Sequence, residues 1–255
     1  MKISGKTRKL KDDINIKGGI YMKRIIAIVL VAATMLVFMS CSKKNSTSPG
    51  SSSSLAPQVV YLYQSDTVTA AGFQTLLDSN GYSVNTVTMA NAGTVNFGSY
   101  SAIVISDDSS NNEPWGTTAI VNAITKSAKP VLGIYQGGGY FFDAAGNTSI
   151  GWMANVTDTI SSVNAVTPAS SIWSTPNVIS TSSAVNLYSS VCGVLDVNSW
   201  SGVTLIGQDP GSASHYPLVS VNKNGTAYFL WGFQGNTSTM TTTGKNLFIN
   251  VMKSL

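Results

Sequence analysis

Short apolar runs alternate with amphipathic segments along the part of the chain that follows Pro57. The runs are rich in β-branched and aromatic residues, which is typical of buried strands, whereas the segments between them repeat apolar residues at helical spacing. The predicted strands are Val59–Tyr63, Tyr82–Met89, Ser101–Ser106 and Pro130–Ile134, and the predicted helices are Ala70–Asn80 and Trp115–Ser127. Strands joined through helices imply right-handed crossovers, and therefore a parallel sheet that is covered on both faces.

The stretch from Ile150 to Trp200 departs from this alternation. It is dense in Ser, Thr, Val and Asn and shows no helical periodicity. We therefore expect an insertion of loops and short strands laid over one end of the sheet.

Strand patterns return after the insertion and are followed by a last amphipathic segment. Asn224-Gly225 separates two of these strands and is a strong signal for a tight hairpin turn. The last segment predicts a helix capped by Thr242 or Thr243. The predicted strands are Thr204–Gly207, Pro217–Asn222 and Thr226–Phe233, and the helical residues expected to face the sheet are Leu247, Phe248 and Val251. The pattern as a whole predicts a three-layer α/β fold, a mostly parallel sheet with a C-terminal antiparallel hairpin and a Ser/Thr-rich insertion.

The segment Met22–Cys41 has the features of a bacterial export signal. Two basic residues are followed by the apolar run Ile25–Met39, which is short for a membrane span but suits a signal-peptide core. Its end, Ser40-Cys41, resembles the lipobox of bacterial lipoproteins, although Phe38 stands where leucine is more usual. The resemblance implies lipidation of Cys41; the alternative is an ordinary signal peptide with an incidental cysteine.

These features divide the chain into four parts: an upstream extension 1–21 with Met22 as the expected true start, a lipoprotein signal 22–41, a Ser/Gly-rich flexible tether 42–57, and a folded domain 58–255. The expected location is outside the cytoplasm, anchored by lipid to the cell membrane or outer membrane. Ser42 is not the aspartate associated with inner-membrane retention in some bacteria, which favours the outer membrane.

The net charge of +4 belongs to the leader and not to the folded domain. Eight of the fifteen Lys and Arg residues lie at or before Arg24, and from Ser42 onward seven Lys face nine Asp and Glu, which gives 7 − 9 = −2. A positive net charge on the domain would suggest nucleic acid as a partner, but the net charge of the domain is negative. We therefore expect no nucleic-acid binding.

The two cysteines predict no intrachain disulfide. If Cys41 carries lipid, Cys192 is left unpaired, and a lone cysteine in an apolar context is usually a small buried residue. A catalytic thiol would need a base, and His215 is the only histidine of the chain. Nothing in the sequence places the two together.

The stretch GIYQGGGYFFD, Gly133–Asp143, directly follows a predicted strand and opens into a predicted helix. A strand, a sharp glycine-bounded turn and a helix are the layout of a nucleophile elbow. The position that should carry the nucleophile holds Tyr135.

Two segments, KPVLGIYQGGG and NGTAYFLWGFQGN, together with the order of elements, resemble the class I glutamine amidotransferase-like superfamily over Pro57–Leu255. The resemblance implies a flavodoxin-like fold. It also places the nucleophile, the base and the orienting carboxylate at Tyr135, Gln234 and Asn236. A phenol with a pKa near 10 is a poor nucleophile and an amide takes up no proton, so we expect a pseudoenzyme without a cofactor.

Ligands of open α/β sheets bind beyond the carboxyl ends of the strands. The loops expected to meet there are polar and carry few charges, which would suit a neutral polar ligand such as a glycan; an envelope protein is the other partner considered. The candidate ligand-binding residues are Gln64, Asp66, Asp107, Asp108, Tyr135, Gln136, Gly137, Gln234 and Asn236.

Other interpretations of these residues remain open. Gly137 can equally serve close helix–strand packing. Asp107 and Asp108 would suit a metal, but a solvated turn is the simpler explanation, and no metal is expected. The alternative function is an envelope hydrolase that uses Asp107 or Asp108 with His215; it requires these groups to converge within hydrogen-bond reach.

Overall fold

The computed structural model describes residues 55–152 and 156–255, with the side chains of 156 and 157 excepted. The predicted signal peptide, the predicted lipidation site Cys41 and most of the predicted tether lie outside the described residues. Ser54–Leu255 forms one compact unit with two hydrophobic cores of its own, so we expect this segment to fold when it is produced alone. Within the described ranges, no helix combines the length and the apolar character that crossing a membrane requires.

A nine-stranded sheet forms the centre of the domain. The strands β1 to β4 and β11 pair in parallel, and the strands on the other side of β11 pair antiparallel. The sheet order is β2-β1-β3-β4-β11-β10-β9-β6-β7, with β1 Gln58–Tyr63, β2 Ser83–Thr88, β3 Ala102–Ile105, β4 Val131–Ile134, β6 Ser162–Ala165, β7 Val185–Asn186, β9 Val203–Gln208, β10 Leu218–Lys223 and β11 Thr226–Trp231. The strands β5 Val156–Ile160 and β8 Cys192–Asp196 form a second, two-stranded sheet.

Among the described residues, four α-helices cover the two faces of the large sheet: α1 Thr67–Asp78, α2 Thr118–Lys126, α3 Tyr135–Ala144 and α4 Thr242–Ser254. Side chains of β1 alternate between the faces: Tyr61 joins the core under α1 and α4, whereas Leu62 joins the core under α2 and α3. Leu247, Phe248 and Val251 of α4 are buried as expected. The predicted mostly parallel, flavodoxin-like three-layer fold is confirmed.

Local signals located most element ends, with three corrections, of which the first is that helix α1 begins at Thr67, three residues before the predicted Ala70. Asn224 and Gly225 both have positive φ, +54° and +81°, as a tight hairpin turn with inverted dihedrals requires. The cap of α4 is Thr241 and not Thr242 or Thr243: its hydroxyl accepts the N–H of Gly244 at 2.9 Å. The second helix begins three residues later than predicted, at Thr118 where the sequence suggested Trp115.

The insertion covers one end of the sheet only in part. Its strands β6 and β7 extend the large sheet at the edge beyond β9, while β8 runs beside the segment that follows β11. There the N–H of Leu195 donates to Gly232 O at 2.7 Å, and the N–H of Gln234 donates to Gly193 O at 2.7 Å. The inserted chain is thus paired by its backbone to the crevice edge of the sheet, because its polar groups need partners once they are buried.

Candidate functional site

The turn between β4 and α3 has the geometry of a nucleophile elbow. Tyr135 is the first residue of α3 and has a φ of +42°, which is uncommon for a residue with a side chain. The crossing of strand and helix is so close that a Cβ on Gly138 would collide with the backbone of Gly133. The backbone of the elbow is therefore present, with a phenol at its apex.

Gly137 serves the packing of the elbow. It is buried, and a Cβ there would lie well under 3.0 Å from the carbonyl oxygen of Ser106 and the hydroxyl of Ser109. No side chain fits between α3 and the 3₁₀ turn Asp107–Ser109 that follows β3. The packing interpretation of this glycine therefore has direct geometric support.

Asp107 lies next to the first turn of α3. The backbone N–H of Gln136 and the side chain of Gln234 lie near its carboxylate, and both act to lower its pKa. Burial is the largest cause that raises the pKa of Asp107, to about 6, with the nearby Asp108 and Asp66 contributing in the same direction. The N–H of the residue after the nucleophile position, which stabilises an oxyanion in enzymes with this elbow, thus lies next to the carboxylate of an aspartate.

Asp108 has a structural role in the same turn. Its Oδ2 accepts the backbone N–H groups of Ser65 at 2.8 Å, Asp66 at 2.7 Å and Gln64 at 3.3 Å, and its Oδ1 accepts the hydroxyl of Ser106. Burial opposes ionisation of Asp108, but these hydrogen bonds prevail and lower its pKa. Asp108 therefore ties the loop after β1 to the end of β3.

A cavity of about 200 Å³ lies at the carboxyl ends of the parallel strands, as expected for this sheet. Aromatic and aliphatic side chains form part of its wall, and polar groups from the loops after β1, β3 and β11 form the rest. Its lining residues are Tyr61, Asp66, Thr69, Phe73, Ser106, Asp107, Asp108, Ile134, Gln234, Gly235 and Asn236. Of the candidates named from sequence, Asp66, Asp107, Asp108, Gln234 and Asn236 meet here, whereas Gln64, Tyr135, Gln136 and Gly137 do not line it.

The side chain of Tyr135 lies under the insertion and outside this cavity. Its ring meets Trp152 edge-on with the centroids 5.9 Å apart. Strand β8 passes so closely that a Cβ on Gly193 would lie 3.0 Å from Tyr135 Oη and 2.9 Å from Gln234 Oε1. Burial raises the pKa of Tyr135 above its ordinary value, which keeps the phenol protonated.

Asn236, at the orienting-carboxylate position, stabilises a turn. Its Oδ1 accepts the N–H of Ser238 at 3.0 Å and of Thr239 at 3.3 Å. This side chain fixes the loop after β11 rather than orienting a base at Gln234.

The structure does not bring His215 to Asp107 or Asp108. An imidazole nitrogen of His215 and one carboxylate oxygen each of Asp196 and Asp209 lie within 4.8 Å of one another, and none of the three lines the cavity. Burial is the largest cause that raises the pKa of Asp196, to about 7, followed by the charges of Asp209 and Asp158. The sequence does not predict this cluster, because the three residues form no motif. Asp196 ends β8, whereas Asp209 and His215 lie in the loop between β9 and β10, and only the folded structure brings them together.

Cys192 is not an activated thiol. It is half-buried, and burial raises its pKa to about 11. Its Sγ lies 3.7 Å from Ile160 O, the acceptor of its only hydrogen bond among the described residues. A thiolate would therefore be scarce at neutral pH.

The elbow, the sheet order and the crevice define an α/β protein with a flavodoxin-like fold, the fold that the resemblance to the class I glutamine amidotransferase-like superfamily implies. A chain of the PurLQS structure from Thermotoga maritima is similar, with a TM-score of 0.54 at 11% identity over 78% of this chain and 99% of that chain. A ThuA-like protein from Bacteroides uniformis is similar with a TM-score of 0.51 at 10% identity over 82% of this chain and 94% of that chain. At such identities the likeness is one of fold. No protein-family model matches the sequence, and neither does any curated protein.

Asp107 should make stability depend on pH. Its carboxyl is protonated in both states below pH 3.8; above that the unfolded chain releases the proton, while the folded chain holds it up to about pH 6. The contribution of Asp107 to stability is therefore full below pH 3.8 and is lost as the pH rises through 6. Relative to the wild type, Asp107→Asn should gain about 3 kcal/mol in unfolding free energy between pH 4 and pH 7.

Urea unfolding at a series of pH values measures this gain. Glu113→Gln removes an exposed carboxylate elsewhere and should follow the wild type throughout. Parallel curves for the wild type and Asp107→Asn would contradict the raised pKa.

Proposed function

We propose that this chain is a non-catalytic binding protein of the bacterial envelope, held by an N-terminal lipid, that takes up a small neutral polar ligand of the glycan type in the cavity beside Asp107. The observation that carries the proposal is the position of the Asp107 carboxylate next to the Gln136 N–H, close enough for that N–H to act on the pKa of Asp107. A tetrahedral oxyanion at the elbow would have to displace this aspartate, whose charge would repel it.

The three side chains at the catalytic positions support the same conclusion. Tyr135 is protonated and covered by β8, Gln234 takes up no proton, and the Asn236 oxygen is bound within its own turn. Acyl transfer requires an activated nucleophile, a base and a free oxyanion donor, and each of these positions lacks its chemistry.

The cavity wall favours hydroxyl-bearing ligands. Asp66 and Asp107 offer carboxylate oxygens, and Gln234 adds an amide that can donate or accept. No Lys lines the cavity in the described part of the chain, so nothing there would balance an anionic ligand. With a pKa of about 6, Asp107 is present near neutral pH in both protonation states and can accept or donate to a hydroxyl group. A volume of about 200 Å³ suits a single small ring or a chain end.

The anchor is the sequence-based part of the proposal. An apolar run that ends at Ser40-Cys41 and is followed by a Ser/Gly-rich stretch fits a lipid on Cys41 and a tether to the domain. A tethered domain of this kind presents its crevice to ligands at the envelope surface.

The test of binding uses the Ser54–Leu255 segment in a thermal-shift screen followed by calorimetry. The probes are neutral mono- and disaccharides, amino sugars, anionic sugars and amino acids. We expect neutral sugars to stabilise the segment, by about 2.7 kcal/mol at a hundredfold excess over the dissociation constant. Gln234→Ala should abolish the shift, while Gln64→Ala, which alters an exposed glutamine outside the cavity, should leave it intact.

Two outcomes would overturn the proposal. One is a shift that survives Gln234→Ala, because the ligand would then bind elsewhere; the other is no shift with any sugar, which would favour a protein partner. Hydrolysis of ester or glycoside probes by the segment would revive the enzyme alternative. The anchor is tested apart: detergent-phase partitioning of the full chain should be lost in Cys41→Ala.

A further inference from the structure

Three metal-ligating side chains meet at the crevice edge of the sheet, on the side of β9 and β10. Asp196 ends β8, Asp209 directly follows β9, and His215 lies in the loop that leads to β10. One oxygen of each carboxylate and one imidazole nitrogen lie within 4.8 Å of one another. This is the one such group of three among the residues that the structure describes.

Burial makes this cluster unusual. Asp196 is fully buried and Asp209 is 2% exposed. Within the described ranges, neither carboxylate oxygen of Asp196 has a hydrogen-bond partner, and the buried Nδ1 of His215 has none either. Buried carboxylates are normally paired, hydrogen-bonded or bound to a metal, because burial without compensation is costly. Asp196 and Asp209 are two buried carboxylates close together, and a bound cation would compensate their negative charge.

The backbone holds the three residues in place without a ligand. Val197 and Tyr216, the neighbours of Asp196 and His215, exchange hydrogen bonds of 3.1 Å and 2.9 Å. The N–H of Asp209 donates to His215 O at 2.9 Å. The N–H of Gly211 occupies Oδ1 of Asp209 at 2.7 Å, which orients this carboxylate, and no hydrogen bond to its Oδ2 is present among the described residues.

We propose that Asp196, Asp209 and His215 bind one divalent transition-metal ion, with Zn²⁺ as the best match. Two carboxylates and a dication sum to zero charge, which offsets the cost of burying the aspartates. The imidazole favours Zn²⁺ and its neighbours in the transition series over Mg²⁺ and Ca²⁺, which prefer oxygen ligands alone. Three protein ligands leave one position of a tetrahedral ion for water or a ligand. His215 is only partly buried, so an ion can enter from its side.

The competing occupant of the space is a proton. A carboxylic acid on Asp196, or an imidazolium on His215, would also relieve the charge. The two occupants predict opposite effects of Asp196→Asn on the stability of the fold. If the occupant is a proton, the neutral amide replaces a neutral acid, and stability is kept or gained. If the occupant is a metal ion, the amide replaces a ligand, and the stabilisation by the metal is lost.

The experiment uses the full chain, stripped with a chelator and titrated with Zn²⁺, Mn²⁺ and Mg²⁺ while calorimetry and thermal unfolding are followed. We expect one Zn²⁺ per chain, a rise in melting temperature that the chelator reverses, and weaker effects of Mg²⁺. Asp196→Asn and His215→Gln should each weaken Zn²⁺ binding at least about 100-fold, since even the residues behind metal ligands commonly contribute 10- to 100-fold. Glu113→Gln, an exposed carboxylate outside the cluster, should bind as the wild type does.

Cobalt substitution supplies an independent readout, because Co²⁺ held by three protein ligands in a tetrahedral site gives visible absorption bands that His215→Gln should remove. Equal Zn²⁺ binding by the wild type, Asp196→Asn and His215→Gln would overturn the proposal, as would an absence of stoichiometric binding. If Asp196→Asn does not fold, His215→Gln decides the question, because His215 lies nearer the surface. None of these outcomes depends on a sugar binding in the cavity, so the two proposals can fail separately.

Discussion

Gly137→Ala, which replaces one hydrogen atom by a methyl group, should destabilise the domain by about 4 kcal/mol. The added methyl group would collide with Ser106 O and Ser109 Oγ and would lie 2.6 Å from Asp107 O. Two of these three atoms belong to backbone that the end of β3 holds in place, so a side-chain rotation cannot relieve the clash. The helix α3 would have to shift away from the 3₁₀ turn, which would also move the Gln136 N–H away from the Asp107 carboxylate.

Chemical denaturation of the Ser54–Leu255 segment measures this loss. Gly93→Ala is the matched control, because a Cβ at Gly93 would meet no atom within 4 Å and its φ is not in the left-handed region. Gly93→Ala should change the unfolding free energy by less than about 0.5 kcal/mol. A Gly137→Ala variant as stable as this control would show that α3 can move freely, and the elbow would then be adaptable rather than fixed.

The sequence predicted those parts of the fold that depend on local patterns. Buried strands such as Val59–Tyr63 and the hairpin at Asn224-Gly225 are specified by residues that are close together in the chain. The elbow was located for the same reason, since a strand, a glycine-bounded turn and a helix are consecutive. The cap of α4 was misplaced among Thr241, Thr242 and Thr243 because all three have the same capping hydroxyl.

The site was predicted only where it depends on the order of strands. The parallel topology implied that the loops carrying Asp66, Asp107 and Gln234 meet, and they do. It could not imply that Asp107 lies next to the Gln136 N–H, or that Asp108 binds the loop after β1, because adjacent aspartates can take either position. The roles of the two adjacent aspartates therefore differ in a way that the DD pair itself does not reveal.

The insertion was the least predictable part, and it links the two proposed sites. Its strand β8 begins beside Tyr135 and Gln234 and ends at Asp196. Strand β8 pairs with β5 on one side and is hydrogen-bonded on the other to the segment after β11, and both partners are distant in sequence. A pattern of Ser, Thr and Val does not identify such a partner strand. The sequence therefore predicts neither the packing of β8 over Tyr135 nor the cluster of Asp196, Asp209 and His215.

Gly232→Ala tests this link and should cost about 3–4 kcal/mol of unfolding free energy. Gly232 lies between two chains: Leu195 donates to its carbonyl oxygen at 2.7 Å, and its own N–H donates to Pro217 O at 2.8 Å. A Cβ would collide with Leu195 O and lie 2.7 Å from Pro217 O. Both atoms belong to backbone carbonyl groups, which cannot rotate away. The variant therefore has to move the Gly232 segment away from β8 or away from the segment before β10.

Amide hydrogen exchange identifies which of these two backbone contacts is broken in Gly232→Ala. If β8 moves, the amides of Leu195 and Gln234 should lose protection while those of the β1–β3 pairs keep theirs. Gly98→Ala is the control, since a Cβ there would meet only Asn96 Oδ1, at 3.4 Å. Because Asp196 follows Leu195 and His215 precedes the Tyr216–Pro217 segment, the same movement would pull the proposed metal ligands apart. Unchanged stability together with unchanged protection would mean that the insertion is held elsewhere, most directly by Asn250, whose side chain donates to Ile172 O and Asn177 O.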